Sequence, residues 1–292
     1  VFPYEFAINS CIVVPVFNEE ESLAYFYEEL IKIIYTLDKN YEIIFVDDGS
    51  TDSTPEICQE YVQNDSRIEY IEKKEPHGWI WNFISLVEKS NTKYFVWISH
   101  DDYWDPYFIE KNIEILETNS KMLASISKIK LVGRNIKNYF PNQEETQLEN
   151  LVVHPIKGTY EEKIKEVIDF NWILNLYSVF KTTELKKSII HESFVSWDFA
   201  LILNIIKFGD LHVLDDILAY RDTEGVTSKK SIISSIKTQK LGWFKTYFPY
   251  LPYTFWCMKN LGLRIFIKHY AHFKYLNFHS AKKIVRELFY KK

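Results

Sequence analysis

Apolar residues in the first hundred positions fall into short unbroken runs, separated by stretches with helical spacing. Cys11 to Phe17, Ile43 to Val46, Ile68 to Ile71 and Tyr94 to Ile98 read as strands, continuous enough to be covered on both faces. Between the first two, Glu20 to Leu37 places Leu23, Phe26, Leu30 and Ile33 on one helical face. Gly49-Ser50-Thr51-Asp52-Ser53-Thr54 reads as a loop. Pro55 then suits the first turn of a helix whose inner face carries Cys58, Tyr61 and Val62. A third helix is expected near Trp79 to Lys89. This β-α-β-α-β-α-β alternation predicts an α/β fold with a Rossmann-like, mostly parallel central sheet and right-handed crossovers.

The order changes after Asp105-Pro106, which open a helix striped by Ile109, Ile113 and Leu116. Met122 to Val132 alternates as a strand does. Gly133 to Gly158 is polar and is expected to be a mobile loop. A helix from Ser196 to Phe208 and a strand from Leu211 to Leu214 follow.

With 292 residues, 47% of them hydrophobic and 17% aromatic, the chain can build a sizeable core. Its three cysteines, Cys11, Cys58 and Cys257, lack the paired spacing of a zinc site or a disulfide framework, which fits a reducing cytosol. Val1 to Asn9 lack the basic and apolar regions of a signal peptide, and no run of about 18 apolar residues occurs, so a cytoplasmic protein is expected. The net charge of −5 is unevenly distributed. From Lys229 onward fourteen lysines and arginines face the single acid Glu287, a balance of +13, against −18 for positions 1 to 228.

Two acidic pairs follow apolar strands: Asp47-Asp48 after Ile43 to Val46, and Asp101-Asp102 after Tyr94 to Ile98. In an open α/β sheet the carboxyl ends of the strands border the ligand crevice, so the pairs would place four carboxylates around one cleft. Adjacent carboxylates repel and favour a cation or a ligand rich in donors. Neither G-x-G-x-x-G nor G-x-x-x-x-G-K-[ST] occurs, so phosphates would be held otherwise, by a divalent metal, Mn²⁺ or Mg²⁺, on Asp101 and Asp102. The plainer readings are a turn for Asp47-Asp48-Gly49-Ser50 and a helix cap for Asp101-Asp102, although Asp105 already serves as a cap. His77, His100, His154 and His212 show no metal-ligand spacing.

Val13-Val14-Pro15-Val16-Phe17-Asn18-Glu19, then Val46-Asp47-Asp48-Gly49-Ser50-Thr51-Asp52, then Ser99-His100-Asp101-Asp102 with Pro106 beyond, resemble family 2 glycosyltransferases of the GT-A fold. The resemblance is clear over residues 9 to 120 and weaker to about 228. It implies that Pro15, Val16, Phe17 and Glu19 line a nucleotide pocket, that Asp47 accepts a hydrogen bond from the base, most often uracil, and that Asp101 contacts ribose or metal. Asp102 would be the chief metal ligand. Asn82 would lie near the diphosphate, Asp198 would be the general base, and Tyr220-Arg221 would close over the donor. Several positions depart from the family pattern. Ser99 stands where many members have an acid, and Trp197 replaces the acid before the base, with Glu192 the local alternative. Asp222-Thr223-Glu224 replaces a frequent histidine, and Gly242 fills the arginine position of a Q-x-x-R-W-like segment, Gln239 to Trp243.

The resemblance implies a nucleotide-sugar-binding half at 1–118 and an acceptor-binding half with the base at 119–228, and the charge and aromatic content beyond them mark a basic, aromatic helical tail at 229–292. The implied reaction moves a sugar from a nucleotide diphosphate sugar, uridine-linked by preference, to a hydroxyl of a glycan or lipid-linked acceptor, with inversion. A sugar nucleotidyltransferase and a non-catalytic glycan- or nucleotide-binding protein are the competing readings. The first normally needs a glycine-rich basic loop where this chain has Asn18-Glu19-Glu20-Glu21. In the tail, Trp243, Phe244, Tyr247, Phe248, Tyr250, Tyr253, Phe255 and Trp256 interleave with Lys240, Lys245 and Lys259, and a following helix pairs Phe266, Tyr270 and Phe273 with Arg264, Lys268 and His272. This mixture favours an anionic membrane surface, with peripheral attachment at the inner face of the cell membrane, over nucleic acid. The competing reading packs the aromatics on the acidic body.

Overall fold

The computed structural model describes residues 10–35, 41–73, 78–98, 102–132, 153–169, 174–222 and 248–289. Strand and helix alternate as the pattern predicts through β1 (Ser10–Val16), α1 (Leu23–Tyr35), β2 (Tyr41–Asp47), α2 (Thr54–Asn64), β3 (Ile68–Glu72), α3 (Trp79–Lys89) and β4 (Tyr94–Trp97). There follow β5 (Asp102–Trp104), α4 (Phe108–Thr118), β6 (Met122–Val132), α5 (Tyr160–Asp169), a 3-10 turn (Asn175–Tyr177), β7 (Val179–Lys181), α6 (Thr182–Ser188), α7 (Trp197–Ile205) and β8 (Asp210–Asp222). The chain continues into α8 (Leu251–Leu261), α9 (Leu263–Lys268) and α10 (Tyr270–Phe289). Most of the polar stretch expected to be a mobile loop lies outside the described residues.

One eight-stranded sheet runs in the order β3-β2-β1-β4-β7-β6-β8-β5. Its first four strands are mutually parallel, so the carboxyl ends of β1, β2, β3 and β4 share one edge. Beyond β4 the sheet is mixed, because β7 pairs antiparallel to both β4 and β6, β8 runs parallel to β6, and β5 is antiparallel to β8.

Both faces of the sheet are covered, and the period-2 alternation of each strand sorts its side chains between two cores. Cys11 and Val13 of β1, Ile44 and Val46 of β2, and Phe95 and Trp97 of β4 enter one core, with residues of α3, α5, α6, α7 and α8. Ile12, Val14, Ile43, Phe45, Tyr94 and Val96 enter the other, against α1, α2 and α4. The first core is centred on Trp97, stacked on Phe83 at 5.0 Å between centroids and edge-on to Phe95 and Phe180 at 4.8 and 5.7 Å.

Two strands depart from the expected pattern. β8 was expected to end at Leu214 but extends to Asp222. Its pairing with β6 jumps from Ser127↔Leu214 to Lys128↔Ile217, so Asp215 and Asp216 bulge out of the ladder, where they pair with Lys128 and Lys111. That acidic bulge breaks the apolar run and hides the strand's second half from hydrophobic patterning. Similarly, Asp102 is not in a loop beyond a strand end but opens the short edge strand β5. Three residues, one of them an aspartate, are too few to show a period.

Replacing Trp97 by alanine removes the side chain at the centre of the first core. The expected cost is about 3–5 kcal/mol in equilibrium urea unfolding, and a loss under about 1 kcal/mol would show that the core collapses around the gap.

Candidate active site at the carboxyl edge of the sheet

At the carboxyl end of β1 the chain turns through Asn18, which adopts a left-handed conformation (φ 56°) that asparagine tolerates better than other side chains. Here the β1 loop and the β2 loop are laced together. The Asn18 amide N–H donates to Ser50 Oγ at 2.9 Å, and its side-chain oxygen accepts the Thr51 N–H at 2.8 Å. The Glu19 and Glu20 N–H groups donate to Thr54 Oγ1 and Asp52 Oδ2, at 2.8 and 3.2 Å, while Ser53 N–H donates to Glu20 Oε2 at 2.9 Å. Pro15 is half-buried, the Val16 side chain lies in the second core, and Phe17 is 52% exposed. Glu19 accepts the Ser22 hydroxyl at 2.7 Å through Oε2. Of the four, Phe17 offers the cleft the largest open surface.

Asp47 is fully buried and is used within the protein. Its Oδ1 accepts both the N–H and the hydroxyl of Ser50 at 2.7 Å, and its Oδ2 accepts the Tyr70 hydroxyl at 2.8 Å. Burial and this carboxylate push the Tyr70 hydroxyl well above the ordinary tyrosine range. The turn that closes the arrangement contains Gly49 at φ 89°, a conformation side chains resist. Asp48 Oδ2 accepts the N–H of Gly78, just before α3, at 3.3 Å.

Sequence reasoning missed Lys73, one residue past β3. Its ammonium donates to Asn82 Oδ1 and, at 3.2 Å, to Ser85 Oγ. Burial pushes it below the ordinary lysine value, while the charge of Asp48 opposes that shift. Asn82 is thus buried and oriented by a cation at the same sheet edge. Periodicity carries no signal for this role, because a lysine after a strand is usually a solvated end.

Asp102 faces Arg221 across the β5–β8 ladder, and Arg221 Nη1 donates to Asp102 Oδ2 at 3.0 Å. The carboxylate is 4% exposed. The guanidinium also lies 4.9 Å over the Tyr177 ring, and Tyr220 packs on Tyr103 at 5.5 Å. Tyr220-Arg221 therefore adjoins Asp102 through the extended half of β8. Asp101 lies outside the described residues, and among those no cluster of three or more His, Cys, Asp or Glu is placed to hold a metal. A single well-seated carboxylate suits a divalent cation that keeps waters and takes its other ligands from substrate phosphates, and does not suit an all-protein cage.

Asp198 begins the second residue of α7, after Ser196 in the left-handed region (φ 68°). Trp197, at the position where the resemblance expects an acid, is a core residue whose indole N–H donates to the Ile190 carbonyl at 2.8 Å, which anchors this helix start. Burial raises the Asp198 carboxyl above its ordinary 3.8, partly opposed by N–H groups of the helix start. The Asp198 charge in turn adds to the effect of burial in raising Tyr250 and Tyr253. Tyr253, on α8, packs on Phe194 at 6.5 Å. Glu192 is exposed. The structure thus joins Asp47, Asp48, Asn82 and the β1 loop at one edge, pairs Asp102 with Arg221, and sets Asp198 beneath α8.

A parallel strand array with a laced acidic edge, continued by a mixed half-sheet, is the GT-A architecture. Residues 11–179 match the Glycosyl transferase family 2 model, and the chain belongs to that family. It is 29% identical over 175 residues to the glycosyltransferase GlyA of Streptococcus pneumoniae, covering 60% of this chain and 22% of GlyA. It is 25% identical over 157 residues to TuaG of Bacillus subtilis, a glycosyltransferase named for teichuronic acid biosynthesis, covering 54% of this chain and 57% of TuaG. The chain therefore spans less than two thirds of either relative. Staphylococcus aureus TarS 1-349 in complex with UDP-GlcNAc shares the fold, with a TM-score of 0.66 at 15% identity over 97% of this chain and 76% of that one.

Asp47→Ala leaves the Ser50 N–H, the Ser50 hydroxyl and the Tyr70 hydroxyl without their acceptor. An expected loss of at least about 3 kcal/mol, since each of the three donors left unsatisfied in the interior costs about 1–3 kcal/mol, would appear in urea unfolding. An unchanged midpoint would show that water replaces the carboxylate.

Proposed function

We propose that the chain transfers a glycosyl group from a nucleotide diphosphate sugar, with uridine as the expected nucleoside, to a hydroxyl of a glycan or lipid-linked acceptor, with inversion, in the synthesis of a cell-surface polysaccharide or glycoconjugate. The observation that carries this reading is the laced acidic edge, which stands where open α/β sheets bind nucleotides in a chain of the glycosyl transferase 2 family. The names of TuaG and of the TarS complex support the polymer and the donor class.

In this reading Phe17, Asp47 and the loops around them receive the base, while Asn82 and Lys73 lie toward the diphosphate. Asp47 contacts the base only by sharing or releasing one of its three internal donors. Asp102, with Asp101, would hold a divalent cation shared with the diphosphate, which when bound supplies Lewis acid assistance to the leaving group. Arg221 holds Asp102 in place. Asp198 accepts the proton of the acceptor hydroxyl as that oxygen bonds to the anomeric carbon and the bond to the diphosphate oxygen breaks. Burial raises its carboxyl, which makes the ionised form a stronger base than an exposed aspartate.

Thermal shift with UDP, with and without Mn²⁺, tests the donor site. Stabilisation by UDP and metal together, absent in Asp102→Ala, is expected, and an unchanged shift in that variant would remove Asp102 from metal binding. For the reaction itself, Asp198→Asn should keep donor affinity and lose turnover by about 10²- to 10⁴-fold. In the parent, the acid limb of kcat/KM should lie above the ordinary 3.8 of aspartate, because the base must be ionised and burial has raised its value. Near-normal turnover of the variant would move the role to Glu192.

A further inference from the structure

The last helices present two unlike faces. Inward, Tyr253, Trp256, Cys257 and Leu261 of α8 and Phe273 of α10 join the first core, with Phe266 stacked on Phe273 at 5.0 Å. To this extent the aromatics pack on the body, while Trp243, Phe244 and Tyr247 lie outside the described residues. Along α10, the inward stripe is Phe273, Ser280 and Ile284, at helical spacing.

Outward, the same helices expose large apolar side chains. Of the seventeen large hydrophobic residues exposed among the described residues, nine lie between Phe248 and Val285, a short part of the chain. Leu263 and Ile267 of α9 are each 63% exposed, and Tyr275 and Phe278 of α10 are 62% and 71% exposed. Spacings of three, four and seven residues put Ala271, Tyr275, Phe278, Lys282 and Val285 on one stripe of α10, flanked by Lys274 and Arg286. From Phe248 to Arg286 there are seven lysines and arginines and no aspartate or glutamate. Lys268 is engaged by Glu161 at 2.6 Å, yet the cations of α10 stand on an exposed face.

From this charge imbalance we infer that the outer face of α9 and α10 docks on an anionic lipid bilayer. Aromatic and aliphatic side chains enter the headgroup boundary, and the flanking lysines and arginine meet lipid phosphates and carboxylates. A second copy of this chain suits the face less well, because a symmetric contact would set the same cations against each other. A wholly acidic soluble partner offers no counterpart to Phe278 and Ile267. No helix among the described residues is long and apolar enough to cross a membrane. The inference stands independently of the reaction proposed above.

The test is co-sedimentation of the full chain with vesicles of phosphatidylglycerol and phosphatidylcholine, and of phosphatidylcholine alone, at about 0.05 and about 0.5 M salt. The chain should partition onto the anionic vesicles and be released by salt. Lys274→Ala with Lys282→Ala should lower partitioning about 30-fold, since each lysine near an anionic surface contributes about fivefold. Tyr275→Ser with Phe278→Ser should weaken it at both salt concentrations. An unchanged midpoint in urea unfolding, without vesicles or nucleotide, shows that both double variants fold. Equal binding to both vesicle types, no binding, or retention of binding by both variants overturns the inference. So does sedimentation equilibrium showing a dimer that Tyr275→Ser with Phe278→Ser dissociates without any vesicle binding.

Discussion

Burial of the parallel strands on both faces is the constraint from which the rest of the structure follows. Strands β1, β2 and β4 give alternate side chains to two separate cores, so neither face is left to meet a ligand. Polar chemistry is thereby pushed to the strand ends, and parallel pairing gathers those ends at one edge. Trp97, packed among Phe83, Phe95 and Phe180, holds β4 in this arrangement close behind the segment that leads to Asp102.

At that edge the acidic groups are restrained by donors from the chain itself. Asp47 is held by Ser50 and Tyr70 and Asp48 by the backbone of Gly78, while Asp102, on the edge strand β5, is held in the same way by Arg221. Buried carboxylates need such partners, because an unpaired buried charge costs far more than the bond returns. The same donors hold the loops in shape. Lys73 and Asn82 show the complementary case, a half-buried cation kept beside an amide at the end of β3.

The C-terminal helices connect the body with a surface of different character. Their inner aromatics complete the first core and lie over Asp198, while their outer face stays cationic and apolar. One short helical region thus covers the candidate base and presents the largest concentration of exposed apolar side chains among the described residues. Of these helices α8 packs against α7, and α9 in turn contacts α8 and α10.

Sequence alone determined the alternation of β1 through β4 with their helices, the acidic pair Asp47-Asp48 at the end of β2 and the basic charge balance of the tail. These features depend on local period, on turn chemistry and on charge, each of which is written in neighbouring residues. It did not show that β5 is a strand or that β8 extends through Tyr220-Arg221, because a three-residue edge and an acidic bulge carry no period. Nor did it show Arg221 on Asp102, Lys73 on Asn82, Tyr70 on Asp47, or α8 over Asp198. Those contacts join residues from 9 to 119 positions apart in the chain. Only tertiary structure decides such pairings, since strand order and register bring the partners together and no local preference of either residue names the other.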